Sequence, residues 1–308
     1  MNGFENRIGI SVSSVRLQLV ELSFSDNRYY VSNFDEAYYS EPLNFSKEKT
    51  TKLSALLQGA FNEILIRKPL KSKTVSFSLP LDLFYLLQVP VDNSLLHSEL
   101  SDDLKWQLSV AYPFLNIDEL SVNFIEIPSN TFCDLNTALV AAIDRKYIGI
   151  INSFCSLNKL NLKYVDNIHF ASERTLSSIT KDENNELVLS IYISNSNLSM
   201  LFTHKGNIIA FRYLPFESIS DAARLINEEI SNNNLLRLKP SDISSVYIFG
   251  DDITDGFVNS LSESTKLILN KINPFTNFHI ENNSPGLIYQ RERYNSFASA
   301  AGIAYRTA

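Results

Sequence analysis

Apolar and polar positions alternate or run together in three short stretches at the start of the chain, residues 7–12, 16–24 and 29–34. Separated by Ser13-Ser14 and Ser25-Asp26-Asn27, they predict a three-strand meander with tight turns. Leu53, Leu56, Leu57, Ala60, Phe61, Ile64 and Leu65 then keep a helical stride, with Ser46 placed as N-cap and Pro69 as the stop. A buried-looking strand, 74–79, ends at Pro80. The same order returns later. Stretches 187–193, 198–204 and 208–214 form a second meander, with turns at Ser194–Asn197 and Lys205-Gly206-Asn207. A helix from about Asp221 sets Ala222, Leu225, Ile226 and Ile230 on one face, and a strand at 245–249 ends at Gly250. Meander, helix, strand occurs twice, as a repeat of architecture without residue-level identity.

Between the repeats the pattern changes. A strand at 83–89 is followed by a helix at 94–111 carrying Leu96, Leu100, Leu104, Leu108 and Ala111. Strands at 121–127 and 137–143 and a helix around 147–157 come next, which predicts a small α+β subdomain inserted into the first half. Asp166 is expected to cap a further helix, with Ile168, Ala171, Thr175 and Ile179 on one face, that bridges to the second half. The acidic, Asn-rich stretch 181–186 is the candidate hinge. The expected division is 1–82 with 166–180 as the first half, 83–165 as the insertion and 181–308 as the second half.

Composition narrows function more than fold. The 308 residues are 44% hydrophobic and 20% charged, enough for a substantial core. A net charge of -7 argues against a nucleic-acid partner, which calls for clustered Lys and Arg. Two cysteines, Cys133 and Cys155, sit in apolar surroundings, as expected of buried thiols in a reducing compartment. His97, His169, His204 and His279 lack metal-ligand spacing, so no metal site is expected. The N-terminal residues do not read as a signal peptide. No apolar run approaches the roughly 20 residues that span a bilayer, so work at a membrane would require recruitment. Nucleophile-elbow, Walker and dinucleotide fingerprints do not occur. The carboxylate pairs Asp102-Asp103, Asp118-Glu119 and Glu228-Glu229 read as solvated.

Several short motifs come in a telling order. Ile8-Gly9-Ile10-Ser11-Val12 leads to Leu19-Val20-Glu21-Leu22, and Tyr112-Pro113-Phe114 precedes the acidic Asp118-Glu119. Stretch 138–143, a helix and 160–166 run into Val165-Asp166. Asn273-Pro274-Phe275 and then Ser299-Ala300-Ala301-Gly302-Ile303-Ala304-Tyr305-Arg306 close the chain. Together these resemble the PilM family, the cytoplasmic actin-like proteins of type IV pilus assembly. A duplicated meander with following helices is also the plan of the wider actin, sugar-kinase and heat-shock-ATPase superfamily. The expected class is therefore α/β: an actin-like fold of two RNase H-like halves, with a small α+β subdomain inserted.

The resemblance implies where nucleotide chemistry would sit. In the superfamily one hairpin turn from each half cradles the phosphates, an Asp at each holds Mg²⁺ through water, and Gly allows close backbone approach. Here Ser11 stands in place of the first Asp, and Ser13 and Ser14 make the turn. Ser190 replaces the second Asp, Tyr192 fills the expected Gly position and Ser194 opens the second turn. The adenosine turn shrinks to Gly250-Asp251-Asp252, whose carboxylates would repel phosphates. On the residues alone, the serine turns are polar hairpin turns and the two aspartates a solvated corner. The expectation is a pseudo-ATPase with no catalytic residue and no cofactor, ATP and Mg²⁺ being suggested by the family alone.

For partners, the resemblance implies a groove between the first half and the insertion. It would take the cytoplasmic N-terminal segment of a single-pass inner-membrane protein (PilN-like). The matching elements are 75–82 and 102–114, with Leu79, Trp106, Tyr112 and Phe114 as contacts; Trp106 falls off the Leu100–Leu104–Leu108 face. Assembly ATPases are further expected partners. The protein would be cytoplasmic, without nucleic acid or direct membrane insertion, and held at the inner membrane by its partners. The alternative is a divergent ATP-binding kinase or ATPase of the superfamily, which would need a catalytic carboxylate and glycine-rich turns. A membrane-tethered filament former would need a C-terminal amphipathic helix. A type II secretion platform subunit would continue into a transmembrane helix.

Overall fold

The computed structural model describes residues 5–306 except 27, 93, 181–185, 195–196, 233–235, 252 and 290. The first meander forms as its alternation predicts: β1 (Arg7–Val12), β2 (Arg16–Ser25) and β3 (Arg28–Tyr38) pair antiparallel. Helix α1 (Thr50–Arg67) then carries the chain across, and β4 (Thr74–Leu79) returns parallel to β1, Ile8 opposite Val75 and Ser11 opposite Ser78. Parallel neighbours need such a crossover, and the amphipathic helix provides it. Ser46 is not its cap. The helix starts later, after Lys49, while the Asn44 side chain takes the backbone N–H groups of Ser46 and Lys47 in a turn of its own.

The insertion begins with β5 (Phe84–Pro90), α2 (His97–Ala111), β6 (Leu120–Ile127) and β7 (Thr137–Asp144). These strands form a separate sheet in the order β5-β7-β6. Leu100, Leu104 and Leu108 of α2 pack on Ala138, Val140 and Ala142, one face of the central strand. Helix α3 (Arg145–Leu157) and β8 (Asn161–Asn167) follow. Although expected in the insertion, they complete the first half: β8 pairs parallel with β4, and Phe154 of α3 meets Phe61 and Phe77 in the first core. Only 84–144 builds the separate sheet. Asn167, not Asp166, caps the bridging helix α4 (Ile168–Ile179), its side chain accepting from the Phe170 N–H at 2.8 Å.

The second half repeats the plan with β9 (Leu187–Ser194), β10 (Asn197–His204), β11 (Asn207–Pro215), α5 (Ile219–Asn232), β12 (Ile243–Gly250), α6 (Asp255–Thr265) and β13 (Leu269–Asn270). Its sheet runs β11-β10-β9-β12-β13, against β14-β3-β2-β1-β4-β8 in the first, where β14 is His279–Ile280. The candidate hinge at 181–185 lies outside the described residues.

The expected boundary 181–308 also needs correction, because the end of the chain returns to the first half. Phe275, Tyr294 and Phe297 close around Phe34 with ring centroids 4.6–5.3 Å away. The last helix, α7 (Ala298–Tyr305), packs between β1 and α4 with its backbone almost touching both. A Cβ on Gly9 would lie 2.0 Å from the Ala300 carbonyl oxygen, and one on Gly302 1.8 Å from that of Ala171. The small residues of the closing motif are thus a packing requirement.

The insertion is clipped to the second half as well. The Gln88 side chain acts as a strand-like amide against the edge strand β11, accepting from the Phe211 N–H and donating to the Ile209 carbonyl, both at 3.0 Å. Cys133, in the loop between β6 and β7, is buried in the second core.

Candidate functional site

Among the concave regions where the halves and the insertion meet, two involve the elements that carry the candidate residues. The first is the cleft between the two hairpin turns. Ser13 caps the β1–β2 turn itself: its hydroxyl accepts from the Val15 and Arg16 N–H groups at 3.3 and 3.2 Å and donates to the Arg16 carbonyl. Two amides of the turn, those of Val15 and Arg16, are therefore taken within the turn itself. Ser11 is buried in β1 beneath α7, accepting from the Ser299 hydroxyl at 2.8 Å. Ser14 faces Ser194 and Asn197 of the opposite turn across a cavity of about 140 Å³, whose lining includes Pro80, Leu81, Asp82 and Tyr213. The remainder of that turn, 195–196, lies outside the described residues. Ligand pockets usually run from about 300 to 1,000 Å³.

Arg16 follows the β1–β2 turn and links the two halves. The guanidinium is fully buried, 3.4 Å from Glu36, and reaches across to Asp251 of the second half at 3.6 Å. Asp251 is thus part of an interlobe ion pair and not the solvated corner expected; Asp252 lies outside the described residues. Gly250 ends β12 with φ +150, and a Cβ there would strike the Ile193 carbonyl oxygen at 2.2 Å.

Ser190 belongs to a chain of polar groups that is buried at His169, Ser190 and Ser199 and half-buried at Glu173. It donates to Glu173 at 2.6 Å and meets His169 Nε2 at 3.0 Å, while His169 Nδ1 meets Ser199 Oγ at 2.7 Å. One assignment satisfies every member: Ser199 donates to Nδ1, Nε2–H donates to Ser190, and Ser190 donates to Glu173. Burial holds the imidazole neutral, lowering it to about 3, and pushes the Glu173 carboxyl up to about 7. Tyr192 is buried beside the imidazole, ring centroids 5.9 Å apart. The chain ties α4 to β9 and β10. Among the described residues no three His, Cys, Asp or Glu side chains gather as a metal site.

The second concavity is a groove of about 350 Å³ between the insertion's sheet and the first half. Phe84, Ile125, Ala141 and Ile143 form one wall, Ile148, Val165 and Phe170 the other. At its rim Asp166 receives both Arg174 (2.5 Å) and Arg306 (3.0 Å) on a single carboxylate oxygen. Strand β6 flanks the groove at the edge of its sheet. The sequence-based contacts do not line it. Leu79 is fully buried in the first core. Trp106 and Phe114 are exposed on or just beyond α2, which covers the opposite face of the sheet, and Tyr112 packs with Leu108 and Leu120.

The model of the type IV pilus assembly protein PilM family matches residues 9–228. This chain belongs to that family. A solved chain of a "PilM-PilN type IV pilus biogenesis complex" is similar with a TM-score of 0.74 and 16% identity, over 97% of each chain. A Bacteroides thetaiotaomicron protein with an actin-like ATPase fold is similar with a TM-score of 0.55 and 11% identity, over 97% of this chain and 95% of that one. The actin-like fold and a part in type IV pilus assembly follow. No helix among the described residues is long and apolar enough to cross a membrane.

Within this PilM-family chain, three groups that tie the seam between the halves lay outside the sequence-based candidates: Arg16, His169 and Glu173. The last two had a usable signal, a polar pair at helical i, i+4 spacing on a bridging helix otherwise read by its apolar face. Arg16 had a weaker one, a charged residue at the start of a strand that is buried throughout its first half.

Proposed function

We propose that this chain is a noncatalytic scaffold of the pilus assembly platform, holding an extended segment of a membrane protein in the groove beside β6. The observation behind this reading is the state of the first phosphate turn, whose amides are bonded by Ser13 and whose flank is filled by Arg16 paired to Asp251. The residues present do not fit magnesium nucleotide. Serines stand at both aspartate positions, the cavity is small, and Asp82 brings a carboxyl group to its lining.

The groove has the opposite character. Its walls are largely apolar, with Ser121 and Asn123 of β6 as polar members, it is flanked by a strand whose outer edge is unused in its sheet, and it bears two guanidiniums against one carboxylate at its rim. Such a site suits main-chain pairing with an extended peptide whose apolar side chains enter between the walls. The PilM partner named in the similar complex is PilN, and a PilN-like cytoplasmic segment is the occupant proposed here. That partner would hold the protein at the inner membrane; contacts with assembly ATPases would be made by other surfaces.

Thermal unfolding with millimolar ATP and Mg²⁺ tests the first half of the proposal. A ligand at a hundred times its dissociation constant stabilises by about 2.7 kcal/mol; the expected shift is none. Titration with the N-terminal peptide of the PilN-like protein tests the second. Saturable binding that Ile125→Asp weakens is expected. A Mg²⁺-dependent ATP shift would overturn the pseudo-ATPase reading, and a peptide indifferent to groove substitutions would overturn the docking site.

A further inference from the structure

The aromatic residues that the groove does not use gather on the other side of the insertion. Strand alternation gives the three-stranded sheet two faces. Leu139, Ala141 and Ile143 face the groove, whereas Ala138, Val140 and Ala142 face α2. Leu100, Leu104 and Leu108 hold α2 down, so its opposite stripe points to solvent. On that stripe Trp106 and Val110, one turn apart, are 63% and 60% exposed, and Phe114 just beyond the helix is 76% exposed. Large apolar side chains in adjacent positions are unusual on a surface without a partner.

Phe114 is exposed yet held. It packs edge-on against Tyr85 and Tyr112, 6.3 and 6.1 Å away, and Tyr112 is fixed by its hydroxyl donating to the Leu86 carbonyl at 3.0 Å. A preset aromatic anchor lowers the ordering cost of binding. Around the stripe stand Glu99, Asp102, Asp103, Asp118 and Glu119, against Lys105, which pairs with Asp102, and Arg145, which donates to the Asp118 carbonyl.

We propose that the outer face of α2 is a second docking surface, for a basic amphipathic helix of another protein. The charge decides the occupant. A second copy would set carboxylates against carboxylates, and an anionic lipid surface or a nucleic acid would be repelled in the same way. A helix with an apolar stripe flanked by Lys or Arg matches both the aromatics and the rim. Because the two sites lie on opposite faces of one sheet, the groove and this face can be filled together, which suits a scaffold.

Trp106 is the only tryptophan, so its emission reports on the patch. The probe is a synthetic, roughly 18-residue, five-turn amphipathic helix without Trp, its Leu and Phe stripe flanked by Lys. The control has the same stripe flanked by Glu. The Lys peptide is expected to shift Trp106 emission to the blue, saturably and more weakly as salt rises. The Glu peptide, the Val110→Glu variant, and the Asp102→Lys/Asp103→Lys double variant should each weaken binding about tenfold or more. Both variants should melt as the parent does, and Ile125→Asp in the groove should leave the titration unchanged. Equal binding of the two peptides, no emission shift, or a shift that tracks protein concentration without peptide would each overturn the proposal.

Discussion

The cleft and the groove lie on neighbouring seams of one molecule and are built in opposite ways. Beside the cleft several polar groups have internal partners: Ser13 with its own turn, Arg16 with Glu36 and Asp251, Ser190 with Glu173 and His169. The groove is lined by apolar side chains from two separate layers, with a rim in which two arginines share one carboxylate. The difference separates a seam that is tied together from one that is open to a partner. Polar groups that tie the halves together stand beside the cleft, while the surface with unused capacity lies one seam away.

Breaking the cleft should therefore cost the most. Arg16→Met removes one member of a buried ionic cluster and takes its cation away from Asp251 and Glu36, although Arg293 and Gln18 still reach Glu36. Removal of one partner from a buried pair typically costs 3–5 kcal/mol, and the retained contacts place this at about 3 kcal/mol. Urea unfolding measures it. A loss below about 0.5 kcal/mol, the scale of an ordinary surface change, would mean that the ion pair does not hold the halves.

The clip between insertion and second half comes next. Gln88→Ala leaves the Phe211 N–H and Ile209 carbonyl of β11 without partners, at an expected cost of about 2 kcal/mol. Faster hydrogen exchange confined to the Phe211 amide would accompany it. If that amide keeps its protection, the insertion is held by other contacts.

Much of this architecture was legible because it rests on local periodicity. The two meanders, α1 and the Leu100–Leu104–Leu108 face of α2 each show in a short window. The groove was not legible in the same way. Phe84, Ile125, Ile143, Phe170 and Arg306 come from distant segments, and the resemblance pointed to helix 102–114, which lies on the other face of the sheet. Ser13 was ambiguous for a chemical reason, since one hydroxyl serves a turn or a phosphate equally well. Nor does any local signal in 275–305 say that an Ala-rich helix returns to the first half; that follows only from the close approach at Gly9 and Gly302. The element ends slipped where two capping residues were adjacent, as with Asp166 and Asn167.

A substitution in the groove should separate binding from stability. Ile125 is half-exposed on the edge strand, so Ile125→Asp should change unfolding free energy by less than about 0.5 kcal/mol. It should nonetheless lower affinity for the partner peptide about tenfold, or about 1.4 kcal/mol. A stability loss equal to the binding loss would show that the groove wall is core and not a recognition surface.

The last test sharpens the comparison furthest, because it reads the wiring beside the cleft through pH. Glu173 titrates at about 7 when folded, above its ordinary 4.5, so the folded chain holds an extra proton between those values. Its contribution is full below pH 4.5 and is lost as pH rises to 7. His169 has the opposite sign: its folded value of about 3 lies below the ordinary 6.5, so its contribution is present above pH 6.5 and is lost as pH falls toward 3. Between 4.5 and 6.5 the two slopes oppose each other. Glu173→Gln keeps an acceptor for Ser190 and removes only the titration, which leaves the His169 slope uncompensated. Relative to the parent, the variant's stability should rise with pH across 4.5–7, read as the difference between urea midpoints at intervals through that window. Parallel profiles would mean that Glu173 titrates as a solvated carboxylate, and that α4 is held to the second sheet without the buried chain.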